Sequence, residues 1–252
     1  MLKIFIFLLL PFAAFAQPTA VAYDITNDKI LEGSLDNSEL SIASISKLMT
    51  VYTILKENQD LDEILTVTSK KTPNTKISKG MSLSRLDLIK LTLISSDNLA
   101  AQTLAENFPI GYSYFIHKMN QHSRDLNMNN TGFVEPTGLS PMNYSTISDI
   151  ILLSKAMQEF DIVRDAAKSK TVTVNSKQGK KKLKITTNST SQYFGRDGVV
   201  AIKTGFTKAA GFCVTMIINA NNHLYNITVL GAKTKHERQA VVDRLLKSIY
   251  NA

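Results

Sequence analysis

The sequence predicts an α+β fold, and three observations predict it. Runs with strand-like alternation lie toward both ends of the chain, whereas helical periodicity fills its middle. No internal repeat, linker or low-complexity segment divides the 252 residues. That length suffices for one layered domain with a sizeable core, expected over residues 17–252.

Residues 1–16 read as a secretory leader. Lys3 is its basic start, Ile4 to Leu10 its apolar core, and Ala14-Phe15-Ala16 its cleavage site. The apolar run is too short to span a bilayer, and no later segment approaches the necessary length, so an exported protein without an integral membrane anchor is expected. Thr19 to Ile25 and Lys29 to Gly33 then form a hairpin across Thr26-Asn27-Asp28. Ile45 to Asn58 carries Ile45, Leu48, Met49, Tyr52 and Leu55 at the spacing of one buried helical face. Leu65 to Ser69 is a short strand candidate, and Lys70 to Gly80 is a polar loop punctuated by Pro73 and Gly80. Leu83 to Ile94 and Leu99 to Asn107 are helical in pattern, broken at Ser95-Ser96-Asp97-Asn98. Tyr112 to Leu126 is a further amphipathic helix.

Phe133 to Tyr144 is a loop marked by Pro136, Gly138 and Pro141. Thr146-Ile147-Ser148-Asp149 resembles a capping box and starts a helix to Phe160. Five strands follow: Thr171 to Asn175, Leu183 to Thr187, Val199 to Lys203, Phe212 to Asn219 and Leu224 to Gly231. A helix from His236 to Tyr250 closes the chain and buries Val241, Val242, Leu245 and Ile249, leaving Arg244 and Lys247 outward.

Composition narrows the partners. Lysine and arginine number 29 against 21 acids, a formal charge of +8, which suits an anionic cell-wall polymer, membrane surface or nucleic acid. Export makes nucleic acid the least expected of these. The single Cys213 excludes an intramolecular disulfide and reads as a core residue. His122 reads as a hydrogen-bonded core histidine. The four histidines form no ligand-spaced set, so neither a metal nor another cofactor is expected. Lys180-Lys181-Lys182, with Lys177 and Lys184, reads as a solvated hairpin tip, with polyanion contact as the other reading.

Three short motifs carry chemistry. Ser44 lies at a helix start with Lys47 one turn on, so the amine can reach back to the hydroxyl. A serine attacks only when a base removes its proton, and a desolvated lysine is such a base. Ser96-Asp97-Asn98 falls at a break between helices, where a hydroxyl and a carboxamide can project into a cleft. Lys203-Thr204-Gly205 ends a β-run, where a cation and a hydroxyl line a sheet edge and glycine admits a substrate to the backbone. Each pattern occurs once, in this order.

Ser-x-x-Lys, Ser-x-Asn and Lys-Thr-Gly together are the signature of class A β-lactamases and penicillin-binding proteins. The chain most resembles the low-molecular-mass penicillin-binding proteins that act as D-alanyl-D-alanine carboxypeptidases and endopeptidases. The likeness is carried by Ile42 to Thr50, Phe133 to Leu139, Lys203 to Thr207 and Ala210-Gly211. It is greatest to the small D,D-endopeptidases, from which the Lys70 to Gly80 loop departs by looking shorter. The resemblance implies a β-lactamase/transpeptidase-like fold, with a central antiparallel sheet, flanking helices and a helical lobe. It also implies roles: Ser44 as nucleophile, Lys47 as its base and Ser96 as proton relay. Asn98, Lys203, Thr204 and Gly205 would bind substrate, and the backbone N–H groups of Ser44 and Phe206 would form the oxyanion hole. The implied partners are peptidoglycan stems and cross-links, with β-lactams as covalent inhibitors, and the implied location is the periplasm.

Alternatives are a β-lactamase and a non-catalytic wall-binding module. A class A β-lactamase activates its deacylating water with a glutamate in Glu-x-x-Leu-Asn. Here the loop reads Glu135-Pro136-Thr137-Gly138-Leu139, so Glu135 is expected to be structural. A binding module has no need of a nucleophile–base pair. Between the two peptidase activities, endopeptidase cleavage is expected first and carboxypeptidase trimming second. Glu135 stands where carboxypeptidases usually carry asparagine, and the chain stops behind its closing helix.

Overall fold

The computed structural model describes residues 17–251; the expected leader lies outside them. In chain order the elements begin with β1 (Thr19–Asp24), β2 (Lys29–Gly33) and β3 (Leu40–Ser41). A 3-10 turn (Ala43–Ile45) runs into α1 (Ser46–Lys56), followed by β4 (Ile64–Thr66), β5 (Met81–Ser84) and α2 (Arg85–Lys90). A π-helical turn (Leu91–Ser95) ends α2, and α3 (Asn98–Glu106), α4 (Tyr112–Asp125), β6 (Tyr144–Ser145) and α5 (Ile147–Met157) come next. The remainder is α6 (Asp161–Ala167), β7 (Thr171–Gln178), β8 (Lys181–Asn188), β9 (Val199–Thr207), β10 (Gly211–Ala220), β11 (His223–Ala232) and α7 (Lys235–Tyr250).

Five strands form an antiparallel sheet in the order β2-β1-β11-β10-β9. The N-terminal hairpin therefore closes on the C-terminal strands, with Thr19 opposite Leu230. Asn221 and Asn222 both take left-handed φ, 51° and 63°, the conformation a tight two-residue link between β10 and β11 requires. Residues 213–218 and 225–230 are buried without interruption, so both faces of the sheet are covered. Helices α5 and α7 pack against the same three strands, β1, β10 and β11. The Thr215 hydroxyl lies 3.0 Å from that of Ser154 on α5. Lys203 is the cross-strand partner of Thr215, and directly opposed residues share a face. Lys203 thus points from β9 toward the helical side. This is the central sheet with flanking helices and a lobe that the resemblance implied.

Differences from the expected elements have local causes. The expected helix from Leu83 begins instead as β5, because Leu83 and Ser84 pair with Leu65 and Ile64 of β4. Ser84 then caps α2 by accepting from the Asp87 N–H at 3.1 Å. The helix from Thr146 stops at Met157, and a separate α6 follows. Thr146 does accept from the Asp149 N–H. The Asp149 carboxylate, however, accepts from the Asn130 N–H and the Thr131 hydroxyl, so the capping box is half formed. Lys203-Thr204-Gly205 does not end a strand but lies inside β9, which β10 carries on to Thr207. The small sheet β4-β5-β7-β8 belongs to the other lobe. Its β7–β8 tip carries the expected exposed lysines.

The closing helix buries Val242, Leu245 and Ile249, half-buries Val241 and exposes Arg244 and Lys247. Leu245→Ala should lower the unfolding free energy by ~2–5 kcal/mol. Lys247→Ala should change it by less than ~0.5 kcal/mol. Urea unfolding of both variants checks the assignment of faces.

Candidate active site

The turn that carries Ser44 is held from two sides by glycines. Ser44 sits within the 3-10 turn ahead of α1, after Ala43 with φ 47°. A Cβ added to Gly138, whose φ is 78°, would fall 1.8 Å from the Ala43 carbonyl oxygen. One added to Gly205 would fall 2.9 Å from the Ser44 amide nitrogen. Gly205 is therefore needed for the contact of β9 with the Ser44 turn, a packing reason distinct from the substrate access expected of it. The Gly138 turn is held in its own way by Glu135. That carboxylate accepts from the Thr137 N–H at 2.7 Å, the Gly138 N–H at 2.6 Å and the Asn143 amide at 3.0 Å. Glu135 is structural, as its loop wording indicated.

Lys47 lies beneath Ser44 with no exposed surface. Its Nζ is 2.9 Å from Ser44 Oγ, 2.6 Å from Asn98 Oδ1 and 2.5 Å from the Thr137 carbonyl oxygen. Burial lowers its pKa to about 7, against the carboxylates of Glu135 and Asp97, which push it upward. As a free amine it has two protons and one lone pair. Asn98 and Thr137 can take the protons, which leaves the lone pair for the Ser44 hydroxyl.

The break between helices is fixed by hydrogen bonds. Ser96 has left-handed φ and ψ of 57° and 36°. Asp97 caps α3 by accepting from the Ala100 N–H at 2.9 Å, and it also accepts from the Lys76 N–H at 2.5 Å. Burial raises the Asp97 pKa. Asn74 Nδ2 donates to the Ser96 carbonyl at 2.8 Å, and Asn98 Nδ2 donates to that of Pro73 at 2.6 Å. The Lys70 to Gly80 loop is thereby tied to the break and forms one wall of the site. Both ends of the Asn98 amide are engaged within the protein, Oδ1 by Lys47 and Nδ2 by the Pro73 carbonyl.

Lys203 is as deeply buried as Lys47 and donates to the Thr204 carbonyl at 3.0 Å. Burial, then the charges of Lys47 and Arg238, hold its pKa well below the ordinary lysine value. The Thr204 hydroxyl donates to that of Thr190 at 2.7 Å. Of the expected residues, Ser44, Ser96, Thr204, Gly205 and Phe206 line one cleft of about 240 Å³. Lys47, Asn98 and Lys203 are buried.

The same cleft is lined by Asn74, Thr190, Phe212, Lys235 and Arg238, which sequence reasoning missed. Arg238 carried a signal. It precedes Val242 by four residues, so a charge falls on the apolar face of α7. It is 5% exposed, and its Nη1 donates to the Cys213 carbonyl at 3.2 Å. Thr190 carried none, because only the tertiary fold brings it to Thr204. Phe206 and Phe212, cross-strand partners, stack at 4.2 Å between ring centroids. Cys213 is buried, and burial pushes its thiol up to about 11, as suits a core residue. His122 is buried and bonded to Glu57 at 3.0 Å, as expected.

Comparison with known proteins places this geometry in context. Residues 12–234 match the D-alanyl-D-alanine carboxypeptidase family of peptidases. The D-alanyl-D-alanine endopeptidase of Escherichia coli is 34% identical over 235 residues, covering 91% of this chain and 76% of that protein. The D-alanyl-D-alanine endopeptidase of Haemophilus influenzae is 33% identical, over 90% of this chain and 78% of that protein. Penicillin-binding protein D2 of Listeria monocytogenes, in an ampicillin-bound crystal structure, superposes with a TM-score of 0.78 at 28% identity, covering 92% of this chain and 96% of that one. The Streptomyces K15 DD-transpeptidase shares the fold, with a TM-score of 0.83 at 20% identity over 94% of this chain and 100% of that one.

Gly138→Ala should cost at least ~2 kcal/mol, since left-handed strain adds to a clash with Ala43. Gly179→Ala, also at positive φ but in open space, should cost only ~1–2 kcal/mol. Thermal unfolding of the two variants separates clash from strain.

Proposed function

The chain belongs to the D-alanyl-D-alanine carboxypeptidase family of serine peptidases, and from that premise we propose that it cleaves D-alanyl cross-links of peptidoglycan through an acyl-enzyme on Ser44. The observation that carries this is the buried Lys47 amine 2.9 Å from Ser44 Oγ, with its pKa lowered to about 7. Lys47 takes the hydroxyl proton as Ser44 Oγ attacks the carbonyl of the penultimate D-alanine. The carbonyl oxygen gains charge as the tetrahedral intermediate forms, and the backbone N–H groups of Ser44 and Phe206 receive it. The close approach of Gly205 to the Ser44 nitrogen supports this pairing, since it brings the two backbones together.

Ser96 lines the same cleft as Ser44 and relays the proton: its hydroxyl protonates the leaving amine and takes in exchange the proton held by Lys47. The amine departs, Ser44 holds the acyl group, and water attacks that ester to free the enzyme. Lys235 and Arg238 line the cleft and Lys203 is buried next to Thr204, cations that supply positive potential for a substrate carboxylate. An arriving anion favours the charged form of Lys203, which burial otherwise disfavours. Thr204 hydrogen-bonds the substrate carboxylate or carbonyl.

Endopeptidase action is favoured because two relatives of 33–34% identity bear that name. Carboxypeptidase action uses the same acyl donor and differs in the leaving amine. A β-lactamase reading lacks its deacylation base, because the Glu135 carboxylate is spent on Thr137, Gly138 and Asn143. The leader-like start and the net charge of +8 support export to a polyanionic, wall-associated setting, the periplasm. No helix among the described residues is long and apolar enough to cross a membrane.

Labelled penicillin should acylate Ser44, and Ser44→Ala should abolish both the adduct and peptide cleavage, as mass spectrometry of the digested protein will read. Lys47→Arg should slow acylation at least ~100-fold, because arginine keeps its proton. In the native protein, acylation should rise about tenfold per pH unit below pH 7 and level off above, as Lys47 loses its proton. A flat profile would exclude Lys47 as the base. With purified cross-linked muropeptide dimers the product should be monomers. Release of free D-alanine with dimers left intact would replace the endopeptidase assignment with carboxypeptidase.

A further inference from the structure

Outside the cleft, one lobe carries a lysine-rich surface that the chemistry at Ser44 leaves unused. The β7–β8 hairpin presents Lys177, Lys180, Lys181, Lys182 and Lys184, all exposed. The loop beside it presents Lys70, Lys71, Lys76 and Lys79, also exposed. No aspartate or glutamate occurs in residues 64–86 or 166–196. None of these nine lysines enters an ion pair among the described residues.

The two segments are physically joined. Met81 and Ser82 pair with Gln178 and Lys177, and Gln178 Nε2 donates to the Lys79 carbonyl at 3.3 Å. The loop continues into the cleft wall through Asn74, which holds the Ser96 carbonyl, and through Lys76, whose N–H meets Asp97. The track therefore runs from the hairpin tip to the cleft in which Ser44 and Ser96 sit. Along it lies a groove of about 470 Å³ lined by Ser82, Asn175, Ser176, Lys177, Lys182 and Asp87, whose carboxylate accepts from the Asn175 N–H. Ser176 is only 3% exposed, yet its hydroxyl has no hydrogen-bonding partner among the described residues. Lys177 and its cross-strand partner Lys182 form the cationic rim of that groove.

We infer that this track binds the uncleaved continuation of the substrate, a carboxylate-bearing peptidoglycan strand whose cross-link occupies the cleft. The inference rests on the peptidase reading above. Continuity with the cleft selects this occupant over an unrelated polyanion, because the loop that carries Lys70, Lys71, Lys76 and Lys79 is itself bonded to Ser96 and Asp97 at the cleft. Exposed lysines contribute through long-range attraction that salt screens within about 10 Å at 0.1 M. Hold on the polymer should therefore depend on ionic strength, whereas chemistry on a small soluble dimer should not.

The test uses the full exported protein and two variants. One replaces Lys177, Lys180, Lys181 and Lys182 by glutamine, and the other replaces the same four by arginine. Co-sedimentation with sacculi stripped of protein and of accessory phosphate polymers should weaken ~10-fold in the glutamine variant, lose most of its salt dependence, and persist in the arginine variant. Penicillin acylation and cleavage of a soluble dimer should stay within ~2-fold in all three proteins. Unchanged sedimentation of the glutamine variant would overturn the inference and leave the hairpin a solvated face. So would a phosphate polymer, such as polyphosphate, that displaces the protein from sacculi far better than poly-glutamate of equal charge. Loss of acylation in both variants would mean that the hairpin supports the fold rather than the polymer. Failure of the native protein to be acylated or to cut the dimer would overturn the peptidase reading instead, while sacculus binding was still measured by itself.

Discussion

A lysine amine without solvent contact is the constraint around which the site is arranged. An ammonium in that position is costly to desolvate, so the fold stabilises the free amine, which is the form a base requires. Its partners come from three separate parts of the chain. Ser44 lies ahead of α1, Asn98 opens α3 and Thr137 belongs to the loop after α4. Each of those parts is fixed by further contacts, so the position of one nitrogen depends on most of the helical lobe.

The clearest dependence runs through the loop at Glu135. Its carboxylate gathers the N–H groups of a tight turn, which aims the Thr137 carbonyl at Lys47 and sets Gly138 under Ala43. The same carboxylate is near enough to raise the Lys47 pKa, yet burial outweighs it. On the other side β9 presses Gly205 against the Ser44 nitrogen. The Ser44 turn is thus clamped between a loop of the helical lobe and a strand of the sheet.

That clamp requires the sheet to be where it is. The order β2-β1-β11-β10-β9 places Lys203 on the face toward α5 and leaves β9 at the edge. Two buried lysines then stand near one another, and the charge of Lys47 joins burial in lowering the pKa of Lys203. Positive potential at this site is therefore conditional, strongest when an anion occupies the cleft. Arg238 and Lys235 of α7 add cations that the three motifs did not include.

Much was determined by local sequence. Periodicity placed the hairpin at Thr19, α1, α3, α4, the last strands and α7, because side-chain spacing and turn residues act over a few positions. The Ser44–Lys47 contact was legible for the same reason, since one helical turn suffices to bring them together. The structural role of Glu135 was legible too, from a loop wording that lacked what a deacylating base needs. Tertiary structure decided the rest. Met81–Ser84 became a strand because β4 lay beside it, and Lys203-Thr204-Gly205 fell inside β9 because β10 extended the pairing. Asn74, Thr190 and Arg238 reached the cleft from segments distant in sequence. Glycine at 205 answered to the backbone of Ser44, a contact between residues 161 positions apart that no local pattern encodes. Short-range chemistry is written in spacing, whereas the burial that lowers the Lys47 pKa exists only once the lobes have packed around it.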